Sequence, residues 1–70
     1  MADNEPEVLL TMAKVKAQTG MGATFIYEKM KGHRFPKSIR VGRRAMWLQS
    51  EVQAWIRSRI EENRASQPGG

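Results

Sequence analysis

The sequence has no cysteine and a single histidine in seventy residues. A thiolate zinc site, a disulfide framework and a Cys–His nucleophile are excluded by that alone. No apolar run approaches the ~20 residues needed to cross a bilayer, and Met1–Asn4 does not open a signal peptide. The chain therefore reads as soluble and cytoplasmic, with no membrane partner. Its length leaves room for one small domain that buries only about 60% of its unfolded surface. A deep interdomain cleft and a dinucleotide-binding sheet are both out of reach. Without a distant serine, one histidine supplies no nucleophile–base pair, and the adjacent Glu61 and Glu62 point about 100° apart on a helix. The sequence predicts no enzyme, no metal and no cofactor.

Acidic residues are also scarce where it matters. Twelve Lys and Arg against seven Asp and Glu leave a net charge of +5, and the imbalance is local. Residues 1–13 carry Asp3, Glu5 and Glu7 and no base. Residues 14–44 hold nine bases against Glu28 alone, and residues 45–70 balance three Arg with three Glu. The nine bases are Lys14, Lys16, Lys29, Lys31, Arg34, Lys37, Arg40, Arg43 and Arg44. A solvated surface intersperses both signs. An uncompensated block repels itself within a Debye length of about 8 Å, and an anionic ligand relieves that repulsion. The block predicts a polyanion as partner.

Helical spacing places three helices and one hairpin between a flexible acidic leader (1–7) and a disordered tail (65–70). The first helix runs from Thr11, an N-cap, to Thr19 and stops at Gly20, with Met12, Val15 and Thr19 on its inner face. The second runs from Ala23 to about Lys31 and stops at Gly32. Ala23, Ile26 and Met30 form its inner stripe, Phe25 borders it, and Thr24, Tyr27, Glu28 and Lys31 lie on the far side. Only Gly20-Met21-Gly22 separates the two helices. That is a helix-turn-helix connection, with Met21 expected to plug the junction. After Phe35-Pro36 the period changes to two: Ile39–Val41 and Ala45–Leu48 flank a Gly42-Arg43-Arg44 loop. The third helix opens on a Ser50–Gln53 capping box and carries Val52, Trp55, Ile56 and Ile60 as an apolar stripe to about Asn63. Trp47 and Trp55 are expected in the core, as are Met12, Met21 and Met30. His33 is expected at the helix C-terminus. Two readings of Arg59 stand: a stem lying along the apolar surface, or a phosphate or partner contact.

Helix-turn-helix, basic hairpin and closing helix predict a mainly α domain, residues 8–64, of winged helix-turn-helix class. At this point the chain resembles the AlpA-like phage and prophage regulators, related to excisionases and to the MerR-type DNA-binding domain. The matching residues are Lys14-Val15 with Thr19-Gly20, Thr24-Phe-Ile-Tyr27, Phe35-Pro36-Lys37, Val41-Gly42 with Arg44, Trp47, and Ser50-Glu-Val-Gln-Ala-Trp-Ile56. They follow the family's order over roughly residues 8–60. The resemblance implies a DNA-binding protein of a mobile element that activates an integrase gene or directs excision, with an integrase, a recombinase or RNA polymerase as a further partner. One departure is visible. Gly22-Ala23 stands where the family often has Ser and then a basic residue, so base reading passes to Thr24, Tyr27 and Lys31.

On this reading the second helix enters the major groove through Ala23, Thr24, Tyr27, Glu28 and Lys31, with Thr24 and Glu28 nearest the base edges. Lys14, Lys16, Lys37 and Arg40 meet phosphates, as do Tyr27 and Lys31. Arg43 and Arg44 form the wing, directed at a neighbouring minor groove or its phosphates. Modest base readout from one small module predicts self-association on duplex DNA. For Tyr27, a half-buried edge position is the competing reading. Two other functions use the same basic face: an RNA-binding module, which usually displays more stacking aromatics than Tyr27 alone, and a protein-interaction adaptor.

Overall fold

A computed structural model describes residues 7–65. The expected leader and tail lie outside them, apart from Glu7 and Ala65. In chain order the elements are β1 (Leu9–Leu10), α1 (Met12–Thr19), α2 (Ala23–Lys31), β2 (Ile39–Val41), β3 (Arg44–Leu48) and α3 (Gln49–Ala65). The three strands form an antiparallel sheet in the order β1-β3-β2. Three helices around this small sheet give the winged helix-turn-helix class predicted from the sequence.

Local chemistry accounts for the helix ends. Thr11 is extended (φ −75°, ψ 167°) and its hydroxyl accepts from the Lys14 amide at 3.3 Å, capping α1. Gly20 adopts the left-handed conformation at φ 74° and donates its amide to the Lys16 carbonyl at 2.8 Å. The turn is tightened by Thr19, whose hydroxyl donates to the Val15 carbonyl and accepts from the Met21 amide. At the end of α2 the left-handed residue is His33 (φ 58°), and Gly32 stays at φ −89°. His33 donates to the Met30 carbonyl and Arg34 to the Lys29 carbonyl at 2.8 Å. That is the paired bonding of a Schellman cap, displaced one residue beyond the expected stop.

The core is Leu10, Val15, Ile26, Phe35, Trp47 and Val52, one residue or more from every layer. Met12, Met30, Ala45, Trp55 and Ile56 pack against it. Each fully buried aliphatic contributes about 1.5–3 kcal/mol, which is most of what a chain this short can gather. Phe35 and Trp55 meet edge to face, with ring centroids 4.9 Å apart.

Several expectations are corrected. The strand β1 was not foreseen: Leu9 pairs with Leu48 and Leu10 with Trp47, and the Gln49 amide extends the ladder to the Val8 carbonyl. A two-residue strand has no period of its own and exists only through β3. The hairpin loop is Gly42-Arg43, because Val41 pairs directly with Arg44. Positive φ at Gly42 (61°) and not at Arg43 is the pattern of a II′ turn, which matches strand twist. The Ser50–Gln53 capping box does not form. The helix already includes Gln49 and Ser50, the Ser50 hydroxyl donates to the Glu7 carboxylate, and the Gln53 amide donates to Gln18. Distant partners outcompete the local cap. Met21 is 37% exposed and Ile60 46% exposed, so neither is interior. Trp55 is half buried, with its indole edge turned to a backbone carbonyl.

Candidate nucleic-acid interface

The outer face of α2 is set by its inner one. Ile26 is fully buried, with Ala23 and Met30 half buried beside it. At 100° per residue this turns Thr24, Tyr27, Glu28 and Lys31 outward, and all four are exposed. Tyr27, at 47% exposure, stands clear of the core and is not a half-buried edge residue. Ala23 belongs to the core-facing side, so only its position at the helix start brings it near the other four. Gly22 caps α2 without a side-chain hydrogen bond, so the first amides of the helix have no side-chain oxygen of Gly22 over them.

The hairpin gathers three arginines. Arg43 lies in the turn, Arg44 opposite Val41 and Arg40 opposite Ala45. Because strand residues alternate between faces, Arg40 and Arg44 project from opposite sides of the ribbon, with Arg43 at its tip. All three are exposed, as are Lys14 and Lys16 on α1 and Lys37 ahead of β2. Arg34, a member of the basic block to which the sequence reading gave no role, is also exposed, on the loop leaving α2.

The charge balance is the main electrostatic feature. Among the described residues the one ion pair is Arg59–Glu62, at 3.2 Å and on the surface of α3. None of the nine bases of segment 14–44 is paired with a carboxylate there, and eight of the nine are exposed. The ninth, Lys29, is half buried and holds its ammonium 5.2 Å from the Phe25 ring centroid. Arg59 holds its guanidinium carbon 5.9 Å from the Trp55 ring centroid, over the ring. No His, Asp and Glu cluster able to hold a metal ion occurs among the described residues, and no helix of theirs is long and apolar enough to cross a membrane.

Comparison with known proteins locates the chain. It is 39% identical over 44 residues to a response regulator inhibitor for the tor operon in Escherichia coli. It is equally similar to a probable excisionase in Shigella phage Sf6 and another in Enterobacteria phage HK620. Each match spans 63% of this chain and 67% of the relative. No solved structure matches significantly. The family profile described as prophage CP4-57 regulatory protein (AlpA) matches residues 8–60, from the strand β1 to the last apolar turn of α3. A match over that much of the domain makes this chain a member of the AlpA family of prophage regulatory proteins.

Proposed function

We propose that this chain is a duplex-DNA-binding regulator of a phage or integrative element, acting as an excisionase, as a transcriptional regulator of an integrase gene, or as both. The observation that carries the reading is the set of nine cations on the helix-turn-helix, the hairpin and the loop between them that have no carboxylate partner among the described residues. A duplex presents phosphates at the spacing needed to neutralise them. The outer face of α2 would enter the major groove, with Thr24 and Glu28 at base edges and Tyr27 and Lys31 toward the backbone. Lys14, Lys16, Lys37 and Arg40 would fix register on phosphates, and Arg43 and Arg44 would reach a flanking groove. Thr and Glu are weak readers, so discrimination is modest and neighbouring copies add to it.

The names of two relatives, each a probable excisionase, support the excision reading, whereas the third, a response regulator inhibitor for the tor operon, names a protein target and favours an adaptor. A direct test is a gel shift with duplex DNA and single-stranded RNA of equal length. A shift confined to duplex DNA supports the reading. Preference for single-stranded RNA, or no shift with either, overturns it in favour of an RNA-binding module or a protein adaptor. Footprinting on the neighbouring DNA then separates the tasks, because excision protects an attachment site and transcription control protects a promoter.

A further inference from the structure

The two phenylalanines of the chain have different surroundings. Phe35 is buried, whereas Phe25 is 39% exposed, in the first turn of α2 between Thr24 on the outer face and Ile26 in the core. The rotation that hides Ile26 leaves Phe25 about 60° from Glu28, at the border of the outer face. Helical side chains lean toward the N-terminus of their helix. A side chain in the first turn therefore reaches past the helix start, the end that a recognition helix presents to base edges. Nothing bulky stands ahead of the ring there. Gly22 has no side chain, even a Cβ at that position would meet no atom within 4 Å, and Ala23 is half buried. Met21, two residues before α2 and 37% exposed, lines the same groove as Phe25, so bare apolar surface gathers at the entering end of the helix.

Lys29, one turn further along, places its ammonium 5.2 Å from the Phe25 ring centroid, over the ring. The cation covers part of the ring and leaves the rest for an apolar partner. It keeps its charge available, because no carboxylate pairs with it among the described residues. An apolar ring beside an uncompensated cation suits a methyl group that lies close to a phosphate. Duplex DNA offers that pair in its major groove, where thymine alone among the four bases carries a C5-methyl. Ile60 of α3 borders the far side of the groove, so a protein partner is the competing occupant.

We propose that Phe25 is a specificity-determining residue that reads thymine, packing its ring on the C5-methyl of a T·A pair while Lys29 neutralises a phosphate nearby. The inference rests on the DNA-binding reading and adds a base identity to it. Thr24 and Glu28 present hydrogen-bonding groups that several bases can meet. A ring has nothing to hydrogen-bond and favours the one base whose groove edge is apolar. Removing one methyl from water corresponds to about a fourfold gain in affinity. The periodicity of α2 sets Phe25 beside the core stripe, and its exposure at the helix start is what gives it this second role.

The test lets the full chain select duplexes from a random-sequence pool, then resynthesises the tightest with uracil in place of each thymine in turn. Uracil lacks only the C5-methyl, so its hydrogen-bonding groups are unchanged. We expect at least one position where uracil weakens wild type about fourfold, and expect Phe25→Ala to bind the two forms alike at that position. Thr24→Ser removes the other methyl at this end of the helix and should keep the discrimination. Circular dichroism reports folding. If Phe25→Ala does not fold, Phe25→Gln, which keeps a good helix former in the first turn, takes its place. The proposal is overturned if wild type binds thymine and uracil forms equally at every position, which leaves the ring to a protein partner. It is also overturned if Phe25→Ala keeps the discrimination, or if it is Thr24→Ser that abolishes it. In each of these cases the duplex is still bound and the DNA reading stands. Wild type that selects no duplex at all overturns both.

Discussion

The indole of Trp55 donates its Nε1–H to the backbone carbonyl of Arg34 at 2.7 Å. One bond thus ties α3 to the loop that leaves α2 and leads into the hairpin. Phe35, next in the chain, is buried and packs edge to face on the same indole. The relation between the outer face of α2 and the wing passes through this loop. Trp55→Phe removes the bond and is expected to cost about 1–1.5 kcal/mol, a modest figure because the freed carbonyl is near solvent. Thermal unfolding measures it, and hydrogen exchange should quicken in residues 34–38.

The other tryptophan behaves differently. Trp47 is fully buried, and its Nε1–H has no hydrogen-bond partner among the described residues. An orphaned buried donor costs about 1–3 kcal/mol, which offsets part of what the ring contributes. Trp47→Phe is therefore expected to lie within about 1.5 kcal/mol of wild type, because relief of the orphan compensates for lost area and a small cavity. Trp47→Ala should cost the ~3–5 kcal/mol usual for a large core aromatic. Denaturant titration of the two variants separates the contributions.

Backbone conformation makes a third set of predictions. Gly20→Ala has room for its Cβ, yet φ is +74°, so the variant should lose about 1–2 kcal/mol to strain alone. Gly32→Ala meets only ordinary contacts at a negative φ and should be tolerated. His33→Gly should stabilise by a few tenths to about 1 kcal/mol, since His33 holds the left-handed position of the Schellman cap. If Gly32→Ala proves the most damaging of the three, the described helix end is wrong.

These cases show which parts of the fold a sequence can carry. The Thr11 cap, the Gly20 stop and the outer face of α2 depend on residues within one turn of each other, and all three were legible. The strand β1 was not, because Leu9 and Leu10 become a strand only by lying against Leu48 and Trp47. The Ser50–Gln53 pattern misled for the same reason: Glu7 and Gln18, both more than thirty residues away, take those side chains. Ile60 and Met21 fit the apolar pattern of their elements, yet both stay exposed. The basic block was fully legible as charge, and the structure adds that its members find no carboxylate within the domain.

At the wing, Arg43→Ala with Arg44→Ala should weaken duplex binding on every sequence tested and flatten the salt dependence by about two in the slope, one for each lost phosphate contact. Thr24→Ala should instead shift preference between sites, by less than the ~1–3 kcal/mol of a bidentate base contact. Anisotropy titrations on a panel of duplexes distinguish a uniform loss from a change in ranking.

The central claim is that the unpaired cations of residues 14–44 form a face for the phosphates of duplex DNA. The affinity of the full chain for one duplex, measured between 50 and 200 mM salt, tests it most directly. With about five to seven phosphates neutralised, log K should fall against log salt with a slope of about −5 to −6. A slope near zero would mean that these cations do not meet a polyanion, and would contradict the account.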